Sequence, residues 1–583
     1  MAASRSGSCL LEPVERHTAN RSPGCRGIIP VVICSLPLVV PLNLRAAAPT
    51  VDYLFPAGGQ AGTTIPVTVG GKLEPWPVKI WVDSPGLKFT AGKTNGSFNV
   101  QIAKDVAPGP HLVRFFNDDG ASVLRTFVVG TIPEILEKEP NNHYKQAQII
   151  EKLPVTINGR LEKNGDLDSF AVRVEAGKWL VAQVDGYGLG SPIDPYLHLL
   201  DADGGKLAFA NDTATFDPLL AWKVEKSGIY ILQLAAFEYP PVADVRFAGK
   251  ESAVYRLTLT DGPYVEHTFP AGARRGAKTE LHLLGWNLPD ESSELDLTGI
   301  SATQAMFQFM APGAGKPLAL PLSDLPELFE IEPNDNPAQP QAVSFPCVIN
   351  GRIDPAGDVD RFAFTAKKDE QIEIGLRSAE LGFLLDGLLE VEDKDGKQLN
   401  QNDDSTEGGF DPMLVVETPA DGRYVVSVSD LKHQGGRDFI YRLEIKRAES
   451  GFRATVDSQS YVLETGKTVE VKVNVDRLNK DKEKLVARVL GLPEGISVKG
   501  GEVPGSGGEV KLTLSAPEKC ERFSGSIRVI IAASEEKPER TVLAQFNLKD
   551  KEAPSDLLVN QTSDLWLTVK PPAPPEAKKP EKK

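Results

Sequence analysis

The sequence predicts an all-β protein built of tandem β-sandwich or jelly-roll modules, and three observations carry that expectation. Gly and Pro are abundant, at 52 and 45 of 583 residues, which favours many tight turns. Segments such as Phe170–Val174, Tyr230–Leu234, Phe362–Phe364 and Tyr424–Val428 alternate apolar and polar side chains. That period of two marks half-buried strands, whereas long helical periodicity is absent. The chain also repeats itself, as modular proteins do.

Two repeats interleave. Phe55-Pro56-Ala57-Gly58 recurs as Phe269-Pro270-Ala271-Gly272. Glu137-Lys138-Glu139-Pro140-Asn141-Asn142 recurs as Glu330-Ile331-Glu332-Pro333-Asn334-Asp335. Downstream of each copy come Asn158-Gly159-Arg160 and Asn350-Gly351-Arg352, then Gly165-Asp166-Leu167-Asp168 and Gly357-Asp358-Val359-Asp360. Asp201-Ala202-Asp203-Gly204 pairs with Asp393-Lys394-Asp395-Gly396, and Phe216-Asp217-Pro218 with Phe410-Asp411-Pro412. Tyr255-Arg256-Leu257 finally matches Tyr441-Arg442-Leu443. A two-module unit has been duplicated.

The elements follow in order. Residues 1–48 read as a signal peptide: Ile28–Leu44 is almost wholly apolar, with Arg21 and Arg26 before it and Ala46-Ala47-Ala48 after it. That is the order of a secretory leader, and Pro30, Pro37 and Pro41 would break a spanning helix. No membrane span is expected after cleavage. An Ig-like β module is expected at 49–132, the first long repeat at 133–262, a shortened Ig-like module at 263–325 and the second long repeat at 326–447. An Ig-like sandwich at 448–569 contains the alternating runs Val469–Val475 and Val510–Leu514, with Leu565–Val569 as its last strand. Residues 570–583 are rich in Pro and Lys, too polar to pack, and read as a disordered tail.

Charge and cysteine narrow the function. The chain carries 64 Lys and Arg against 80 Asp and Glu, a net charge of −16. Nucleic acid repels such a surface, and no basic stripe offsets it. Cys9, Cys25 and Cys34 lie in the leader, leaving Cys347 and Cys520 in different modules. This is neither a disulfide scaffold nor a Cys/His metal motif.

The ordered string Glu-x-Glu-Pro-Asn-[Asn/Asp], Gly-Asp-x-Asp-x-Phe, Asp-x-Asp-Gly and Gly-x-Tyr resembles the bacterial pre-peptidase C-terminal (PPC) domain family. The resemblance covers 133–262 and 326–447, and the flanking modules resemble Ig-like or TIG-like domains in pattern. PPC domains are β-sandwich modules of secreted proteins, often attached to proteases. In collagenase relatives, acidic and amide side chains of the N-terminal segment bind calcium. The resemblance therefore implies Ca²⁺ ligands at Glu137, Glu139, Asn141, Asn142, Asp166 and Asp168, and at Glu330, Glu332, Asn334, Asp335, Asp358 and Asp360.

Elementary chemistry agrees. Alternate residues of an extended segment share a face, Pro stiffens it, and Ca²⁺ takes about six to eight hard oxygens. The same Asn and Asp residues also cap turns without metal. The second copy, with Asp335 in place of Asn142, carries more charge and is the stronger candidate. Asn211-Asp212 and Asn402-Asp403-Asp404 read as loop turns, and Asp201–Gly204 as a hairpin turn.

Catalysis finds little support. His111, His143, His198, His267, His282 and His433 are scattered, and neither a zinc His-Glu-x-x-His nor a Gly-x-Ser-x-Gly elbow occurs. Trp76, Trp81, Trp179, Trp222, Trp286 and Trp566 suit sandwich cores, or stacking on sugars. The expected function is non-catalytic binding or spacing in the periplasm, at the cell surface or in secreted form, with an extracellular protein or polysaccharide as partner. A secreted hydrolase or protease-associated protein, and a carbohydrate-binding surface protein, are the alternatives.

Overall fold

The computed structural model describes residues 47–572 apart from 214, 243–246, 290–291, 302–303, 312–317, 405–408, 480, 534–539, 551–552 and 554. Of the expected leader 1–48 all but residues 47 and 48, and of the expected tail 570–583 the part from 573, lie outside the described residues; Lys570 is not tail but the last residue of the final strand. The described chain is built of β-sheets throughout, and every alternating segment named above lies in a strand. No helix among the described residues is long and apolar enough to cross a membrane.

The first sandwich pairs two sheets. One is ordered Thr50–Phe55, Thr64–Lys72, Ser97–Ile102, Leu87–Ala91; the other Gly58–Gln60, Arg125–Gly130, Gly109–Asn117, Lys79–Val82. Their alternating inward residues, among them Val67, Phe98, Val100, Phe115 and Phe127, form one buried core. Residues 264–323 make two three-stranded sheets with small cores. Residues 451–570 form a further sandwich around Leu463, Val473, Leu512, Val529 and Leu567.

The two long repeats share one topology. In the first, one five-stranded sheet runs Glu134–Leu136, Val155–Arg160, Val254–Thr260, Trp179–Asp185, Leu219–Lys223. Its partner runs Gln148–Ile150, Asp168–Val174, Gly228–Glu238, Ile193–Asp201, Lys206–Ala210. The second repeat reproduces both orders, beginning from Glu327–Phe329 and Gln341–Ala342. Ile157, Phe170, Tyr255 and Leu257 of one core correspond to Ile349, Phe362, Tyr441 and Leu443 of the other, all fully buried.

Repeated turn motifs have plain physical roles. The Asp201 carboxylate accepts from the Asp203 and Gly205 amides, and Gly204 sits at φ 89°, closing the predicted hairpin. Asp217 accepts three backbone N–H groups, from Gly186, Tyr187 and Gly188, at 2.8–3.0 Å. Asp411 does the same for Ser378, Ala379 and Glu380. Asp217→Ala orphans three donors and is expected to cost about 2–5 kcal/mol. Faster hydrogen exchange confined to residues 186–190 checks this; unchanged exchange there contradicts it.

A joint recurs between each Ig-like module and the long repeat after it. Arg256 and Glu134 form a bidentate pair at 2.8 and 2.9 Å, with side chains only 4% and 8% exposed. Asn158 donates to Glu134 at 2.7 Å and accepts from Arg256 at 3.2 Å. Gly58 of the Phe-Pro-Ala-Gly motif faces this guanidinium so closely that a Cβ would lie 2.0 Å from Arg256 Nη1. The Arg160 guanidinium lies over the Phe55 ring at 5.0 Å. The second unit repeats each contact with Arg442, Glu327, Asn350, Gly272, Arg352 and Phe269. The motifs of the two interleaved repeats are thus the two halves of one interface.

The first and last sandwiches also dock. Arg114 is fully buried, donating to the Gln459 carbonyl at 2.8 Å, with its guanidinium 5.7 Å from the Trp566 ring centre. Trp566 packs on Phe116 at 4.6 Å, and Lys570 pairs with Asp119 at 3.1 Å. Trp566 therefore serves an interface between modules.

His111 adds a pH response within the first sandwich. Its Nδ1 lies 2.9 Å from Asp83 Oδ1 and its Nε2 lies 2.7 Å from the Ala107 carbonyl. Burial opposes its charge, but these two acceptors win and hold the imidazole pKa above its ordinary value. A raised folded-state pKa means stability present below the unfolded value of about 6.5 and lost as pH rises through the folded one. Hydrogen-exchange protection of 109–117, corrected for intrinsic rates, is expected to fall as pH rises above about 6.5 and through the raised folded-state pKa of His111. His111→Gln is expected to remove that fall; a fall that persists in this variant contradicts the assignment.

Candidate metal centre

The duplicated Tyr-Arg-Leu strand builds the site from its other face. Successive residues of a strand point to opposite sides, so while Arg256 enters the joint, Tyr255 turns inward beneath it. Its hydroxyl lies 2.6 Å from Asp168 Oδ2 and 2.8 Å from Glu137 Oε2. Gly159, directly across from Tyr255 in the ladder, makes room: a Cβ there would lie 2.2 Å from the phenol and 2.4 Å from Glu137 Oε2. Tyr441, Asp360, Glu330 and Gly351 repeat the arrangement.

The acidic segment is a loop rather than a strand. Regular pairing ends at Leu136, and Glu137–Asn142 then crosses toward the Asp166–Asp168 turn. Glu137 is held by the Arg160 amide at 2.8 Å, and Asn141 is fully buried, its amide N–H bonded to Glu139 at 2.9 Å. Asp166 and Asp168 are also fully buried. One carboxylate oxygen each from Glu139, Asp166 and Asp168 can lie within 4.8 Å of one another. In the second copy Glu330, Glu332 and Asp360 converge in that way, and so do Glu332, Asp335 and Asp358. All twelve residues singled out in the sequence thus fall in two nests.

The electrostatics of each nest are unbalanced. Burial pushes the Glu137 carboxyl up to about 7 and, with the Glu137 charge beside it, raises Asp168 well above the carboxylate range. Burial and then Glu330 push Asp360 up to about 9, and burial also raises Glu330, Glu332 and Asp358. Tyr255 has a single proton for the two carboxylate oxygens that face its hydroxyl, so one of these two oxygens goes without it. Both polar side-chain atoms of Asn141, and Asp168 Oδ1, are buried without a hydrogen-bond partner. Asn334 and Asp360 Oδ1 likewise lack a well-formed hydrogen bond, although the Asn334 side chain lies close enough to Asp360 to favour its charged form.

Buried polar atoms of this kind are rare and costly. Six oxygen-bearing side chains in each nest fit a hard divalent ion such as Ca²⁺. The copies differ at one position. Asn142 donates to Asp166 at 2.6 Å, softening the first nest, whereas in the second Asp335 converges with Glu332 and Asp358 and makes a fifth carboxylate alongside Glu330 and Asp360.

The repeated motifs include Tyr255, Arg256 and Asn158, with Tyr441, Arg442 and Asn350, but the sequence assigns them no role, and Glu134 and Glu327 escape it altogether. A signal existed, since the repeat begins earlier than its acidic part, at Pro133-Glu134 and Pro326-Glu327. His143 is exposed, and its Nδ1 accepts from the Lys145 amide to cap a short turn. Cys347 is buried and Cys520 half-buried, both as free thiols.

No family model matches the chain. Over 112 residues it is 34% identical to a probable subtilase-type serine protease of Deinococcus radiodurans, covering 18% of this chain and 15% of that protein. The chain thus spans a small part of that curated relative. Among solved structures, domains 1–6 of the surface layer protein SbsC are 10% identical, with 91% of this chain and 55% of that one covered and a TM-score of 0.15. The N-terminal eight Ig domains of Down syndrome cell adhesion molecule are 11% identical, with 90% and 71% covered and a TM-score of 0.14. The sheets themselves define the class: a multi-module protein of Ig-like and longer β-sandwiches.

Proposed function

We propose that this is a non-catalytic protein of the cell envelope or exterior, whose two long repeats are PPC-type modules that each hold Ca²⁺. The observation that supports it is the orphaned pair Asn141 and Asp168, repeated as Asn334 and Asp360, at the centre of converging carboxylates. Calcium here would act on architecture. The nest and the joint share the strands Val155–Arg160 and Val254–Thr260, so an ion that orders Glu137 and Tyr255 also orders Glu134 and Arg256. Asp, Glu and Asn side chains would bind it, and their mutual repulsion would keep the metal-free joint loose.

Thermal melting of the chain after the predicted leader tests this. Millimolar Ca²⁺ is expected to raise the melting temperature over chelator, and Mg²⁺, which demands octahedral geometry and keeps its water, to do less. Equal melting in calcium and chelator, with no metal carried through purification, contradicts the reading. Likeness to part of a probable subtilase-type protease favours a second reading, in which these modules accompany a protease as accessory domains. Co-purification with an active protease would support it.

A further inference from the structure

A cleft of about 880 Å³ opens between the first long repeat, the short module after it and the second long repeat. Its size suits a ligand of several rings. Trp179 and Trp286 both line it, half-buried, with ring centres 6.4 Å apart and planes inclined at 48°. Both indoles are held in advance of any ligand. Asn287 accepts from the Trp179 amide at 2.9 Å and donates to its carbonyl at 2.8 Å. Trp286 packs on Tyr264 at 5.9 Å and lies 5.8 Å from the Arg437 guanidinium. Such preorganisation lowers the entropic cost of binding.

The charged lining is mainly acidic. Asp212, Glu266 and Asp438 contribute carboxylates, with Asp217 already bonded to three backbone N–H groups, Gln183 contributes an amide and His267 stands beside Glu266, and no Lys or Arg is among the described lining residues. Phosphates, sulfates and uronic acids are repelled by that lining. A neutral sugar fits both features: its C–H face lies on an indole, and its hydroxyls donate charge-assisted hydrogen bonds to carboxylates. The duplicated repeat supplies an internal control. The strand that starts at Trp179 in the first copy starts at Gln371 in the second. The cleft beside it, about 560 Å³, is lined instead by charges of both signs, including Arg377, Glu380, Lys446 and Arg453.

We propose that the first cleft binds a neutral oligosaccharide. This proposal is independent of the calcium reading. The test titrates the full chain with neutral cello-, manno-, xylo- and chito-oligosaccharides, following tryptophan fluorescence and heat. Binding by at least one series is expected, with quenched fluorescence and little salt dependence. Trp179→Ala and the exposed-loop variant Asp212→Arg are each expected to weaken it about tenfold or more, while Glu380→Ala in the second cleft leaves it unchanged. Circular dichroism confirms that the variants fold. The proposal is overturned if no neutral series binds, if both first-cleft variants bind as the parent does, or if only a cationic oligolysine peptide binds.

Discussion

Replacing Asp358 and Asp360 together by Asn is expected to stabilise the chain in chelator and destabilise it in calcium. Asp360 is fully buried beside Glu330, and Asp358 lies within reach of Glu332 and Asp335. Without metal these carboxyl groups crowd one another in a desolvated site, which pushes the Asp360 and Asp358 carboxyls up, so isosteric amides should relieve about 1–2 kcal/mol. The Tyr441 hydroxyl, now 2.6 Å from Asp360 Oδ2, can still donate to an amide oxygen. In calcium the order should reverse, because the parent's second nest gains RT ln(1 + [L]/Kd), about 2.7 kcal/mol at a hundredfold excess over Kd, which the variant forgoes while both keep the first nest. Calcium and chelator melts of parent and variant check both signs. A variant less stable than the parent in both conditions would mean that these carboxylates are ordinary turn residues.

The second large effect belongs to the joint. Arg442→Met leaves Glu327, only 14% exposed, facing a buried void without its partner, and such breaks cost about 3–5 kcal/mol. Gly272→Ala should fall in the same class, since its new Cβ would meet Arg442 Nη1 at 2.2 Å. Pairing Arg442→Met with Glu327→Leu removes both charges and should recover part of the loss, the buried Asn350 being left without either side-chain partner. Limited proteolysis around 323–327 reports the joint directly. Faster cleavage in the single variants and intermediate cleavage in the double one is the expected pattern. Equal cleavage in all of them would show that the pair does not hold the modules together.

The parts legible in the sequence were those encoded by neighbours. Period-two strands, Asp-Gly turns and the duplicated acidic string are local, and their structure follows from side-chain alternation and turn chemistry. The acidic side chains were found because residue type announces metal chemistry. Tyr255 and Arg256 announce nothing by type. Their roles emerge only when the ladder sets Tyr255 across from Gly159 and Arg256 across from Asn158, on opposite faces of one sheet. The docking of Arg114 on Gln459 joins residues 345 positions apart, beyond any local pattern. The acidic loop likewise departs from a simple alternating strand, because Glu137 turns under Gly159 to reach Tyr255 while Glu139 stays exposed.

Calorimetric titration of the chelator-stripped full chain with Ca²⁺ tests the central claim most directly. Two sites per chain are expected, the tighter being lost in Asp358→Asn/Asp360→Asn and the weaker retained there. Absence of binding heat, together with identical melting in calcium and chelator, would contradict it and leave both nests as metal-free turns.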